Sequence, residues 1–70
     1  MEIERASANN ELIKVDGELW VRALSAYNGR CLLTGDPVHT GDRVYVPQKT
    51  GRHRRWKRIL ASVVEERLGP

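Results

Sequence analysis

Two short apolar-rich runs, residues 11–15 and 18–22, flank the dipeptide Asp16-Gly17 and form the clearest pattern in the chain. Asp-Gly between such runs is typical of a type I′ β-hairpin, because both central residues of that turn require a positive φ. A two-residue loop also fixes the register of the strands. The register predicts three pairs on one face and two on the other: Val15 with Glu18, Ile13 with Trp20 and Glu11 with Arg22, then Leu12 with Val21 and Lys14 with Leu19.

Two further strands are predicted in the middle of the chain. Residues 30–34 and 43–46 are short and apolar, and a segment dense in Gly, Pro and Asp separates them. Pro47 ends the second run, because proline cannot donate to a strand ladder. Residues 1–10 show no clean period, so we interpret them as a flexible N-terminal arm that precedes a single small domain, residues 11–70.

The last apolar pattern is compatible with a helix or with a strand. Apolar residues recur at the spacing of one helical stripe: Trp56, Ile59, Leu60, Val63, Val64 and Leu68. Gly69-Pro70 supplies a helix stop. Against a helix, only a distant Thr50 offers an N-cap, and bases in the first turn with glutamates in the last oppose the macrodipole. A strand through residues 59–64 is the alternative.

These elements predict a small α+β domain. Two hairpins form an antiparallel sheet of about four strands, and the C-terminal amphipathic helix covers one face. The alternative fold is an all-β small barrel in which the last segment is a fifth strand. An exposed sheet edge could also support a homodimer.

The length of the chain limits its functions. A chain of 70 residues buries only about 60% of its unfolded surface and forms one small core. No glycine pattern of a dinucleotide fold or P-loop is present, and no cofactor is expected. A Cys31/His39/Asp42 set lacks a nucleophile elbow, an oxyanion feature and a cleft, so we expect no enzymatic activity.

Cys31 is the single cysteine, which leaves no partner for an internal disulfide. The chain opens without a basic, apolar leader, and its apolar runs fall short of membrane-spanning length. We therefore expect a cytoplasmic protein with no membrane partner.

Charge is concentrated in one segment. The formal net charge is +3, whereas residues 49–58 alone hold six cations and no acid. Several cations that can reach one backbone suit phosphate, and the arginine fork binds it in a bidentate manner. We predict a nucleic-acid-binding module for DNA or RNA that uses this segment. The expected contact residues are Lys49, Arg52, His53, Arg54, Arg55, Lys57 and Arg58.

Other interpretations of the same segment stay open. His53 is expected near bases, with Tyr45 or Trp56 as a further aromatic contact, although Trp56 fits better as a core anchor because it opens the apolar stripe. The segment could instead dock on an acidic protein partner, as in an accessory or inhibitory protein. It could also be a solvated loop with no ligand.

Residues 31–46 resemble a zinc-ribbon or treble-clef knuckle, with Cys31 at the first ligand position and Thr34 in place of the second cysteine. A closer resemblance is to short bacterial domains of unknown function, familiar from Burkholderia-like genomes. The shared residues are Cys31, Leu33, Thr34, Gly35, Pro37, Gly41, Asp42, Val44, Tyr45, Pro47 and residues 59–62. The resemblance covers about half of the chain and implies a metal-free descendant of the knuckle, with no known activity.

The residues themselves also disfavour zinc. Cys31, His39 and His53, with Asp36 or Asp42 as a weak fourth ligand, contain no close pair of the kind that structural zinc sites use. We interpret Cys31 as a small buried strand residue and the two histidines as exposed loop residues. Asp42 is expected to close the bend before the fourth strand with its side chain.

Overall fold

The computed structural model describes residues 1–48 and 57–69, and within them the chain forms a curled antiparallel half-barrel of five strands, a two-stranded ribbon and one helix. The elements are β1 (Ile3–Arg5), β2 (Leu12–Val15), β3 (Glu18–Leu24), β4 (Gly29–Arg30), β5 (Pro37–Val38), β6 (Arg43–Pro47), β7 (Ile59–Leu60) and α1 (Ala61–Leu68). The sheet order is β1-β2-β3-β6-β7, and β4 pairs with β5. The predicted α+β class is therefore confirmed, with more strands than expected.

The β2–β3 hairpin has the predicted turn and register. Asp16 and Gly17 have φ of 50° and 82°, the positive values that a type I′ turn needs. Ile13 lies opposite Trp20, and both side chains are buried. The local turn chemistry alone was sufficient to fix this part of the fold.

The N-terminal residues belong to the sheet. Ile3–Arg5 form the edge strand β1, in which Ile3 lies opposite Val15 and Arg5 opposite Ile13. Ile3 also packs against the hydrophobic core. The interpretation of residues 1–10 as a flexible arm therefore does not hold for β1, whose three residues are too few to show a strand period.

The predicted third strand, residues 30–34, is mostly a turn. Extended structure ends at Arg30, and the Gly35 N–H donates to the Cys31 carbonyl over 2.9 Å. Gly35 has a φ of 78°, which a residue with a side chain would adopt only under strain. Because this segment turns back on itself, β6 pairs with β3 and not with residues 30–34. The second predicted hairpin is thereby replaced by the short β4–β5 ribbon.

The C-terminal segment contains both of the predicted alternatives. Ile59–Leu60 form β7, which pairs with β6, and the chain becomes helical at Ala61. Lys57 and Arg58 precede the helix, so their charges do not oppose the start of its macrodipole. Leu60 occupies the N-cap position and, within the described residues, provides no side-chain cap. The all-β barrel alternative is wrong.

The helix packs against one side of the curled sheet, where it contacts β1, β6 and β7. The buried hydrophobic residues are Ile13, Val15, Trp20, Cys31, Val38, Val44, Tyr45, Ile59, Ala61 and Val64. Of the predicted stripe, the five described residues lie in this core or against it, whereas Trp56 lies outside the described residues. In the described part of the chain, no helix is long and apolar enough to span a membrane.

Tyr45 is part of this core. Its side chain has no exposed surface, and its hydroxyl donates a hydrogen bond to the Asn10 carbonyl. The expectation that Tyr45 contacts bases is therefore wrong. Burial raises the pKa of the Tyr45 phenol above its ordinary value of 10.0, while nearby Arg22 lowers it and Glu65 raises it.

We predict that Tyr45→Phe lowers the free energy of unfolding by about 1 kcal/mol at neutral pH, because the part-buried Asn10 carbonyl loses its donor. The raised pKa favours the neutral phenol in the folded state. This contribution is complete below pH 10.0 and is lost as the pH rises through the raised pKa. Urea unfolding of the variant should therefore show a weaker loss of stability above pH 10.0 than the parent chain. Tyr27→Phe, at an exposed tyrosine, is the control, and an equal change there would contradict the prediction.

Candidate nucleic-acid interface

The basic segment is the connection between β6 and β7. Lys57 and Arg58 are its described members. The other predicted contact residues, and the second aromatic candidate, lie outside the described residues: Lys49, Arg52, His53, Arg54, Arg55 and Trp56. The structure therefore describes this segment through the residues on either side of the undescribed part, Gln48 on one side and Lys57 and Arg58 on the other, and through their neighbours.

Both flanks of the segment lie at the end of the sheet that carries the β2–β3 turn. The Gln48 N–H donates to the Leu19 carbonyl over 3.0 Å, at the start of β3. Lys57 lines a shallow depression of about 260 Å³ together with Asp16, Glu18 and other residues near that turn. Gln48 and Lys57, the described residues on either side, thus both lie near this turn.

Arg58 lies inside the protein and not on a phosphate-accessible surface. It is 6% exposed, and its Nη1 donates to the Tyr27 carbonyl over 3.2 Å. Its guanidinium carbon lies 5.5 Å from the centroid of the Tyr27 ring, within the range of a cation–π contact. A Cβ atom at Gly29 would approach Nη1 to 3.0 Å, so glycine leaves the space that the guanidinium needs.

The main chain of Arg58 is also engaged. Its carbonyl accepts a hydrogen bond of 2.8 Å from the Leu32 N–H. Arg58, which directly precedes β7, is thereby joined to the turn that follows β4. Arg58 was a predicted phosphate contact. In the structure its guanidinium is buried and bound to Tyr27, so we assign it a role in stabilising the fold.

Tyr27 is the residue near this segment that the sequence did not single out. It is 54% exposed, and it lies in the connector between β3 and β4. Its hydrogen-bonding groups include a carbonyl that accepts from the Ser25 hydroxyl over 2.6 Å. The available signal was an aromatic residue inside a polar, turn-forming stretch, away from every apolar run.

The knuckle-like segment contains a buried thiol beside a threonine. Cys31 is 2% exposed. Burial raises the pKa of its thiol, but hydrogen bonds from the Thr34 hydroxyl and from the backbone at Leu60, Thr34 and Leu33 outweigh that effect, and the pKa is lowered from 9.0. Among the described residues, no group of three or more His, Cys, Asp or Glu side chains is placed to hold a metal ion. His53 lies outside those residues.

Asp42 has the turn role that the sequence predicts. Its carboxylate accepts a hydrogen bond of 2.8 Å from the His39 N–H, and its own N–H donates to the His39 carbonyl over 3.0 Å. The His39 side chain is 71% exposed and lies 3.7 Å from the same carboxylate. These contacts close the bend before β6.

A second depression, of about 370 Å³, lies beside the start of α1. Its charged lining residues, as far as the structure describes the chain, are Arg22, Arg43, Asp42 and Glu65. The Arg22 Nη2 atom lies 3.4 Å from Glu65 Oε1, so this ion pair neutralises part of the positive charge of the depression. With equal numbers of cations and acids, this depression favours an anionic ligand less than the basic segment does.

We predict that Arg58→Ala lowers the free energy of unfolding by about 1.5–3 kcal/mol, because a buried hydrogen bond from a charged group is lost. Lys57→Ala removes the same charge from the neighbouring, half-buried position and should cost less. Thermal and urea unfolding of both variants measure the difference. Equal stability losses would show that the buried guanidinium contributes no more to stability than the cation beside it, and would contradict the prediction.

Comparison of the chain with protein-family models, with curated proteins and with solved structures finds no match. The resemblance of residues 31–47 and 59–62 to bacterial knuckle-like domains therefore stays a prediction from those residues. The functional argument depends on the charges and contacts of the chain itself.

Proposed function

We propose that this protein is a small, non-enzymatic nucleic-acid-binding module that contacts the phosphate backbone through residues 49–57. The observation that carries the proposal is the density of charge, because this segment has five cations and no acid. Cations so close in sequence can reach neighbouring phosphates of one strand. No other segment of comparable length in the chain has such an excess.

The fixed flanks of the segment support the proposal. Gln48 is hydrogen-bonded to β3, and Arg58 is held by Tyr27, so the residues on both sides of these cations are fixed by the fold. A segment tied at both ends loses less conformational freedom on binding than a free tail of the same composition. Arg58 contributes to binding by holding this attachment, and not as a phosphate contact.

Contacts between cations and phosphates carry no base information, so binding should depend weakly on sequence and steeply on salt. For duplex DNA, the slope of log affinity against log salt is about −0.9 for each phosphate neutralised. Each cation removed from the segment should therefore reduce the slope by about one unit. This is the quantity that separates phosphate binding from docking on an acidic protein.

The test compares two double variants with the same change in net charge. Arg54→Ser with Arg55→Ser removes two cations from the segment, whereas Arg43→Ser with Arg67→Ser removes two exposed cations from β6 and α1. We expect the first variant to weaken binding to a labelled duplex and to reduce the salt slope by about two units, because two phosphate contacts are lost. The control should keep the parent slope. Fluorescence anisotropy at several salt concentrations measures both.

Two results would contradict the proposal. Equal losses in the two variants would show that net charge, and not the segment, attracts the nucleic acid. No binding of the parent chain to duplex or single strand at low salt would exclude nucleic acid as the partner, since even nonspecific binding is visible there. An acidic protein partner would then be the interpretation to test by pull-down.

A further inference from the structure

The acids of the β2–β3 turn lie beside Lys57, the last cation of residues 49–57. Asp16, Glu18 and Lys57 line the same depression, of about 260 Å³. A sphere of that volume is about 8 Å across, which is no more than one Debye length at physiological salt. The charges of these three side chains therefore act on one another with little screening.

Both carboxylates are held in place by the fold. Asp16 Oδ1 accepts a hydrogen bond of 2.8 Å from the Glu2 N–H, and the Asp16 N–H donates to the Glu2 carbonyl over 2.9 Å. Glu18 Oε1 accepts a hydrogen bond of 3.3 Å from Trp20 Nε1, and Trp20 is a core residue. A carboxylate that is already positioned attracts a nearby cation at a smaller cost in side-chain entropy than a freely rotating one.

The remaining surface of the depression strengthens this attraction. Its other lining residues, within the described part of the chain, are apolar: Met1, Val15, Trp20 and Leu32. An apolar wall has a low dielectric constant and concentrates the field of the charges beside it. Since two acids and one base share this wall, a phosphate that reaches Lys57 also meets two carboxylates.

We propose that Asp16 and Glu18 compete with phosphate for the Lys57 ammonium, so that the β2–β3 turn limits the affinity of this protein for nucleic acid. The inference rests on the proposed function, because the cations of residues 49–57 supply the attraction to phosphate. It also narrows that function. Lys57 binds phosphate only when the two carboxylates release it, and the earlier cations of the segment provide the other contacts.

The test neutralises both acids without changing their shape. Asp16→Asn keeps an oxygen for the Glu2 N–H and tolerates the positive φ of the turn, and Glu18→Gln keeps an oxygen for Trp20 Nε1. We expect the double variant to bind a labelled duplex about 5-fold more tightly at low salt, because the ammonium is then available to phosphate. The slope of log affinity against log salt should become steeper by about one unit.

Two further variants separate this effect from net charge and from direct repulsion. Glu11→Gln with Glu66→Gln changes the net charge equally, at exposed acids before β2 and in α1, and should bind like the parent. Adding Lys57→Ser to the parent and to the Asp16→Asn, Glu18→Gln variant should remove most of the difference between them. Fluorescence anisotropy measures all of these affinities, and melting temperatures check that each variant is folded.

The outcomes distinguish the inference from the proposed function. If the parent binds no duplex at low salt, the proposed function fails and this inference fails with it. If the parent binds but neutralising the turn acids gives no gain, or no more than the control gives, the competition is wrong and phosphate binding stands. An equal gain with and without Lys57 would also overturn the competition, because the acids would then repel the ligand directly.

Discussion

The buried guanidinium of Arg58 is the interaction on which the arrangement of this protein's candidate interface depends. Moving a charged group out of water is costly unless it is paired or hydrogen-bonded. Here the guanidinium donates a hydrogen bond to the Tyr27 carbonyl and makes a cation–π contact with the Tyr27 ring. Gly29 has no side chain, and this leaves room for the guanidinium. Arg58 also accepts the Leu32 N–H through its carbonyl. One arginine thus connects the last strand of the sheet to the connector after β3.

The basic segment therefore contains one cation that stabilises the fold, Arg58, and five cations that we propose for ligand binding. Arg58 is used inside the fold and fixes the point at which the chain returns to the sheet. The cations before it, in residues 49–57, are the ones that we propose for phosphate. Because the same arginine also binds the Tyr27 carbonyl, the point at which the chain returns to the sheet and the connector after β3 are held together.

Features that depend on neighbouring residues could be predicted from the sequence, and those that depend on distant pairing could not. The Asp16-Gly17 turn determines its own geometry, so the β2–β3 register followed from two residues. The start of α1 depends on Ile59 pairing with Tyr45, and β1 is a strand only because β2 is beside it. At the site, residue type suggested that Arg58 and Tyr45 bind ligand. Their burial depends on partners far away in sequence, namely Tyr27 and Asn10, and no local pattern reveals such contacts.

The most direct measurement is an amide-resolved NMR titration of the labelled chain with oligothymidine, combined with hydrogen exchange of the Arg58 side chain. If residues 49–57 form the interface and Arg58 holds their C-terminal end, the amide signals of residues 49–57 will shift together. The Arg58 side-chain N–H will stay slowly exchanging in the free and the bound protein. Rapid exchange of that N–H in the free protein, or shifts confined to surfaces away from residues 49–57, would contradict the central role of Arg58.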